Sequence, residues 1–148
     1  MNFLDEYKVV LAEASQRPLI LELLRENDLP VADLDESKPL FACVRKENVI
    51  GTGGLEFFGT CALLRSISIR RDLQQKGLGK FIVDELEVIA KQNGINFLYL
   101  LTTAAKDFFA KAGYEIIDRE KAPPEIKNTT QFSSLCPSTA VLMRKLLA

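Results

Sequence analysis

Apolar residues recur at three different spacings along this chain, and each change of spacing marks an element. Residues 7–12 (Tyr-Lys-Val-Val-Leu-Ala) are short and β-branched, which predicts a strand. Leu19, Ile20, Leu23 and Leu24 then repeat at helical spacing. Ser15 offers an N-cap for that helix, Pro18 falls in a permitted first turn, and the helix should stop near Asn27, before Leu29-Pro30. Residues 31–38 are acidic and fit either a short helix or a loop. Three strand-like runs follow, at 39–46, 49–58 and 61–70, with Glu47-Asn48 and Gly59-Thr60 as the turns between them. Gly51, Gly53 and Gly54 lie inside the middle run and predict a bulge or the close approach of another backbone.

Past residue 76 the period lengthens again. Leu78, Phe81, Ile82, Leu86, Ile89 and Ala90 mark one face of a helix that ends at Asn93-Gly94. Residues 95–101 are almost continuously apolar, as a buried central strand requires. A short helix over 103–112 ends at Gly113, a strand starts at Tyr114–Ile117, residues 121–138 read as loop, and residues 139–147 give a last strand. The order is β, α, β-β-β, α, β, α, β, β, with no repeat or low-complexity segment. A meander feeding strand-helix-strand-helix units implies a mixed sheet with helices on its faces.

Composition narrows the chemistry. The 148 residues suit one domain spanning 1–148. There is no histidine, so no Ser-His-Asp or Cys-His site can be built, and no His-containing zinc site. Three cysteines cannot supply four thiolates, and their wide spacing does not resemble a secreted disulfide framework, so no metal is expected. The net charge of −1 makes no global case for nucleic acid or membrane as a partner, no apolar run is long enough to span a bilayer, and the start MNFLDEYK is acidic where a signal peptide would be basic. A cytoplasmic protein is the expectation.

Charge is nevertheless unevenly placed. Residues 65–80 carry Arg65, Arg70, Arg71, Lys76 and Lys80 against Asp72, a local +4 that leaves −5 for the remainder. In that stretch a strand (Ile67, Ile69) enters a loop that opens a helix at Gly77 and Gly79. A helix N-terminus presents unpaired N–H groups and a partial positive charge, and glycine lets an anion reach them. The spacing is neither a Walker loop nor the dinucleotide G-x-G-x-x-G, because Ile82 stands three after Gly79.

The pattern Gln74-x-x-Gly77-x-Gly79 resembles the acyl-CoA pyrophosphate loop of the GNAT family of N-acetyltransferases. Thr102-x-x-Ala105-x-x-Phe108-Phe109-x-x-x-Gly113-Tyr114 resembles that family's later helix. The element order agrees as well. Within the family the chain is similar to the acetyltransferase domain of N-acetylglutamate synthases. Leu64-Arg65-Ser66 and Leu135-Cys136-Pro137 are similar to the small arsenic-resistance-type members. Two departures stand out: the family's usual cofactor-contacting Asn is Thr102, and its usual Tyr, which often protonates the leaving thiolate, is Phe109.

The resemblance implies an α/β (α+β) GNAT fold: a mixed, mostly antiparallel sheet of about seven strands, helices on both faces, splayed between strands 4 and 5. It implies acetyl-CoA as co-substrate. Ile67, Ser68 and Ile69 would pair with the pantetheine arm. Gln74, Gln75, Lys76, Gly77, Leu78, Gly79 and Lys80 would hold the pyrophosphate, and Thr102, Ala105 and Phe108 would flank the arm. The reaction would be direct attack of a small, amino-acid-like amine acceptor on the thioester, with backbone N–H groups polarising the carbonyl. Without histidine the base is a carboxylate, with Glu56 the candidate, or water; Glu56 also reads as a solvated strand-end residue. Arg65 is the candidate fork for a substrate carboxylate, or else an exposed strand arginine. Cys136 could touch substrate or be a small packed hydrophobe. Cys43 and Cys61 fit a core pattern. A non-catalytic acyl-CoA-binding sensor or interaction module is the alternative function. Family members often dimerise through their last strands, which makes a homodimer an open option.

Overall fold

The computed structural model describes residues 3–35, 37–130, 132 and 140–147. Seven strands form a single sheet in the order β1-β2-β3-β4-β5-β7-β6. They are β1 (Lys8–Leu11), β2 (Leu40–Arg45), β3 (Asn48–Phe58), β4 (Cys61–Ile69), β5 (Phe97–Thr102), β6 (Glu115–Ile117) and β7 (Val141–Leu146). The helices are α1 (Arg17–Glu26), α2 (Leu78–Gln92), α3 (Lys106–Lys111) and α4 (Pro124–Lys127). Every strand pair is antiparallel except β4 with β5. That parallel pair is joined only at Cys61–Leu63 against Phe97–Tyr99; beyond it the two strands part. This is the splayed GNAT sheet that the resemblance implied.

Alternation along β2 separates the two faces. Phe41 and Cys43 pack with the α2 residues Leu78, Ile82, Val83 and Leu86, while Leu40 and Ala42 pack with Ile20 and Leu24 of α1. On β5, Leu98 and Leu100 join the α2 side, and Tyr99 and Leu101 pack with Ile126 of α4. Cys43 and Cys61 are buried, as their strand positions implied, and desolvation holds the Cys43 thiol up at about 12. No described helix is long and apolar enough to cross a membrane.

The glycines of β3 mark the expected bulge, and what presses on them is chiefly side chains of α2 rather than another backbone. A Cβ on Gly51 would meet Ile82 of α2 at 2.8 Å, and one on Gly53 would collide with Leu86, so α2 lies directly on this strand. The register with β4 also slips here, between Thr52 and Gly54.

Local details differ from the sequence reading. Ser15 does not cap α1. Gln16 stands at the cap, and its side chain takes the Glu13 N–H (2.8 Å) instead of a helical one. The turn between β2 and β3 is centred on Lys46-Glu47, both with left-handed φ, and Asn48 already pairs with Arg45. Residues 31–38 form loop and turn in their described positions, and α3 begins only at Lys106. Within 121–138, Pro124 opens the one-turn α4, because proline's missing N–H costs nothing in a first turn.

Candidate functional site

The site is built where β4 leaves its ladder. Gly54 pairs with Arg65 and Thr52 with Ser68, so Ser66 and Ile67 together face Gly53. This bulge is held by Ser66 in a left-handed conformation (φ 61°), unusual for a residue with a Cβ. The Thr52 hydroxyl donates to the Ser66 carbonyl at 2.5 Å, fixing the distortion. Because one residue is inserted, Leu64, Ile67 and Ile69 all reach the α2 face, while Leu63 packs on the opposite side. Asn27, at the C-terminal end of α1, then ties the strand end down: its amide donates to Ser68 Oγ and to the Ile69 carbonyl (3.2 Å). The Gln74 amide reaches the same carbonyl at 3.0 Å.

Two cavities open along the splay and share Ile67, Ala105 and Phe109 as common wall. The larger, about 600 Å³, lies between the β4 end, the α2 N-terminus and α3. Of the residues assigned to the cofactor, Ile67, Ile69, Gln74, Gln75, Gly77, Gly79, Lys80, Ala105 and Phe108 line it; Ala104 and Phe109 do too. Gln75 and Gly77 have left-handed φ (64° and 87°), turning the loop so that α2 starts at the cleft. A Cβ on Gly79 would stand 3.2 Å from the Phe108 ring, so glycine sets how closely α3 approaches.

Four of the assigned residues lie elsewhere. Ser68 faces α1 through Asn27, Leu78 is buried in the core, Lys76 is exposed away from the cleft lining, and Thr102 lines the smaller cavity. The Thr102 hydroxyl accepts the Ala105 N–H at 3.0 Å, shaping the turn into α3. The basic stretch is also divided among partners: Arg70 pairs with Asp72, Arg71 donates to the Glu26 carbonyl, and Lys80 pairs with Asp84. Of the basic residues only Lys80 lines the cleft, beside the N-terminus of α2 and a largely apolar wall of Ile67, Ile69, Phe108 and Phe109.

The smaller cavity, about 110 Å³, is lined by Leu29, Pro30, β4 from Leu64 to Ile67, Leu100 to Thr102, Ala105 and Phe109. Arg65 on β4 is part of its wall, and its side chain is 1% exposed. Its Nη1 and Nη2 fork onto both carboxylate oxygens of Asp33, the Nη2 contact at 2.7 Å. Nη1 also donates to Glu56 Oε2 at 2.8 Å, and Nε to Ser66 Oγ at 3.3 Å. Lys38 Nζ holds Asp33 from outside, through a carboxylate oxygen at 3.1 Å and the backbone carbonyl at 2.8 Å. Burial alone would raise the Asp33 carboxyl; Arg65 and Lys38 outweigh it and hold it below the ordinary range. Arg65 and Glu56 are therefore brought together as partners, buried rather than solvated. Asp33, absent from the sequence reading, stands between Arg65 and Lys38. Cys136 lies outside the described residues.

Phe109 is buried, edge-on to Tyr114 with ring centroids 5.7 Å apart, and brings no proton to either cavity. The Tyr114 hydroxyl is engaged with Glu87 (3.0 Å), and desolvation raises its pKa further.

A model of the acetyltransferase (GNAT) family matches residues 4–114. An uncharacterized N-acetyltransferase of Chlorobaculum tepidum is 28% identical over 94 residues, 63% of this chain and 60% of that protein. The uncharacterized protein YyaT of Bacillus subtilis is 39% identical over 72 residues, 48% of this chain and 49% of that one. The matched stretches thus span about half to three fifths of these relatives. Among solved structures, N-acetylglutamate synthase of Neisseria gonorrhoeae, complexed with coenzyme A and N-acetyl-glutamate, superposes with a TM-score of 0.83 at 18% identity, covering 96% of this chain and 35% of that one. The Mycobacterium tuberculosis protein Rv2747, in complex with CoA, gives 0.79 at 18% identity, over 95% of this chain and 99% of that one.

Proposed function

The chain belongs to the acetyltransferase (GNAT) family, and from that footing we propose that it moves the acetyl group of acetyl-CoA to the amine of a small, amino-acid-like acceptor by direct attack. The observation that carries this is the meeting of two unlike cavities at the β4 bulge. One, about 600 Å³, reaches the N-terminus of α2; the other, about 110 Å³, has the paired Arg65 in its wall. The first suits a pyrophosphate with its extended arm. The second has room for an acceptor of few atoms beside Arg65, with Glu56 behind it on the same guanidinium.

On this reading, Gly77, Gly79 and the first turn of α2 hold the pyrophosphate through backbone N–H groups. The bulge takes Ile67 out of the β3 ladder, and β5 has already parted from β4, so its backbone is free to pair with the pantetheine arm and polarise the thioester carbonyl. Glu56, held by Arg65, receives the amine's proton directly or through water. Water protonates the departing thiolate, because Phe109 carries no proton. CoA-bearing neighbours and the neighbour bound to N-acetyl-glutamate support the reading. A cytoplasmic setting and a possible second copy of the chain belong to the same proposal.

Phe109 favours one alternative, a module that binds acyl-CoA without turnover. Steady-state release of free CoA with a panel of small amines separates the two. Release with amino-acid-like amines is expected. Tight acetyl-CoA binding with no release from any amine would leave the sensor reading in its place.

A further inference from the structure

We propose that Asp33 is a built-in competitor for the acceptor's carboxylate: an acceptor binds by exchanging with Asp33 on the Arg65 fork, while Asp33 stays paired to Lys38. The inference rests on the proposed acyl transfer and specifies its acceptor as a free α-amino acid.

The donor inventory of Arg65 leads to it. A guanidinium has five N–H groups. Among the described residues Arg65 uses four of them, on Ser66, Glu56 and twice on Asp33. One Nη2 hydrogen remains, enough for a single hydrogen bond and not for the paired grip by which arginine recognises a carboxylate. Asp33 takes that grip itself, in the geometry a ligand carboxylate would adopt. A carboxylate ligand therefore reaches the fork only by replacing it.

Lys38 makes the exchange affordable. Removing a buried carboxylate from its partner would ordinarily leave an uncompensated buried charge, which is strongly unfavourable. Asp33 keeps the Lys38 ammonium on Oδ2, and Lys38 also grips the Asp33 backbone carbonyl, so the carboxylate can turn toward it without leaving the loop. The loop itself is anchored by Leu29, Val31 and Leu34 against the α1 side of the core, so the rearrangement is confined to one side chain. Charge closes on both sides of the exchange. Asp33 with Lys38 is neutral, and Arg65 with Glu56 is neutral and faces a zwitterion: the fork takes the carboxylate and Glu56 takes the ammonium.

The test compares wild type with Asp33→Asn, using α-amino acids and their α-carboxamides as acceptors. Each protein is also titrated with propionate, a carboxylate without an amine, followed by melting temperature. If Asp33 occupies the fork nine-tenths of the time, removing it raises apparent carboxylate affinity about tenfold. The kcat/KM ratio of acid to carboxamide should rise by that factor in Asp33→Asn, and propionate should bind more tightly. Lys38→Met should move the ratio the opposite way, since Asp33 is then left with Arg65 alone. A ratio and a propionate affinity unchanged or lowered in Asp33→Asn would overturn the exchange, leaving Asp33 as a brace for Arg65. If Asp33→Asn does not fold, the Lys38→Met ratio decides by its sign. No turnover of any acceptor with propionate discrimination intact would instead sink the acyl-transfer reading and spare the exchange.

Discussion

Gly79→Asp separates binding from stability, because the two effects have opposite signs. Gly79 is the second residue of α2, and its backbone is not left-handed, so aspartate fits it without conformational strain. A carboxylate in the first turn of a helix stabilises it by about 0.3–1 kcal/mol. The new Cβ meets Phe108 Cζ at 3.2 Å, but that ring is partly exposed and can give way. The same carboxylate would face a bound pyrophosphate. Two unit charges about 5 Å apart, at an effective dielectric of about 20, repel by about 3 kcal/mol, which is a loss of about 100-fold in affinity. Calorimetric titration with acetyl-CoA measures the loss, and urea unfolding of the unliganded protein measures the stability. Gly79→Ala supplies the control: it adds the Cβ without the charge. An acetyl-CoA affinity within threefold of wild type, in a Gly79→Asp protein of unchanged unfolding midpoint, would refute the helix N-terminus as the phosphate site.

Gly53→Ala should destabilise the fold by about 1–3 kcal/mol in urea, since its Cβ collides with Leu86 and lies 3.2 Å from both Ile67 and Ile82; a neutral effect would mean α2 is not pressed on β3. Phe109→Tyr should change kcat by less than about threefold, because a thiolate leaves well without an acid beside it; a rise of two orders of magnitude would show that proton donation limits the reaction. Asp33 has a depressed pKa when folded, so it contributes stability above its unfolded value of 3.8 that is lost as the pH falls through the lower folded value. The acid limb of a pH–stability curve should accordingly flatten in Asp33→Asn, and an unaltered limb would place the acid sensitivity elsewhere.

The periodic parts of the chain were legible in the sequence. Leu78, Ile82 and Leu86 predicted α2 to within a residue, and the run from Ile95 predicted the buried β5. Here one element decides its own burial pattern. The glycine loop was legible for a similar reason: strand, loop and helix are contiguous there. The features that escaped depend on distant partners or on single backbone angles. Asp33 sits in an aperiodic acidic stretch and meets Arg65 across 32 positions of sequence. Ser66 is left-handed although nothing in serine requires it; the hint lay on the facing strand, in Gly53 and Gly54. The local +4 overstated what reaches the cleft, since Arg65, Arg70 and Lys80 are each paired with a carboxylate.

That pairing bears on how a chain without histidine could manage a proton. Arg65 is buried and held by two carboxylates, while Lys38 balances one of them, so the four charges cancel within the fold. On the proposed reaction, the acceptor's ammonium group arrives beside Glu56 in this neutral cluster. It leaves as a neutral amide after surrendering a proton. Arg65 holds the carboxylate of Glu56 in place for that cation. In an imidazole site the base itself changes charge near neutral pH. Here paired charges stand on β3 and β4, and the acceptor amine is the group expected to set the pH dependence. The rate should then rise with pH along the acceptor amine's own ionisation, and the inflection should move from one acceptor to another with the amine's pKa. An inflection fixed at one pH for every acceptor would place the controlling proton on the protein instead.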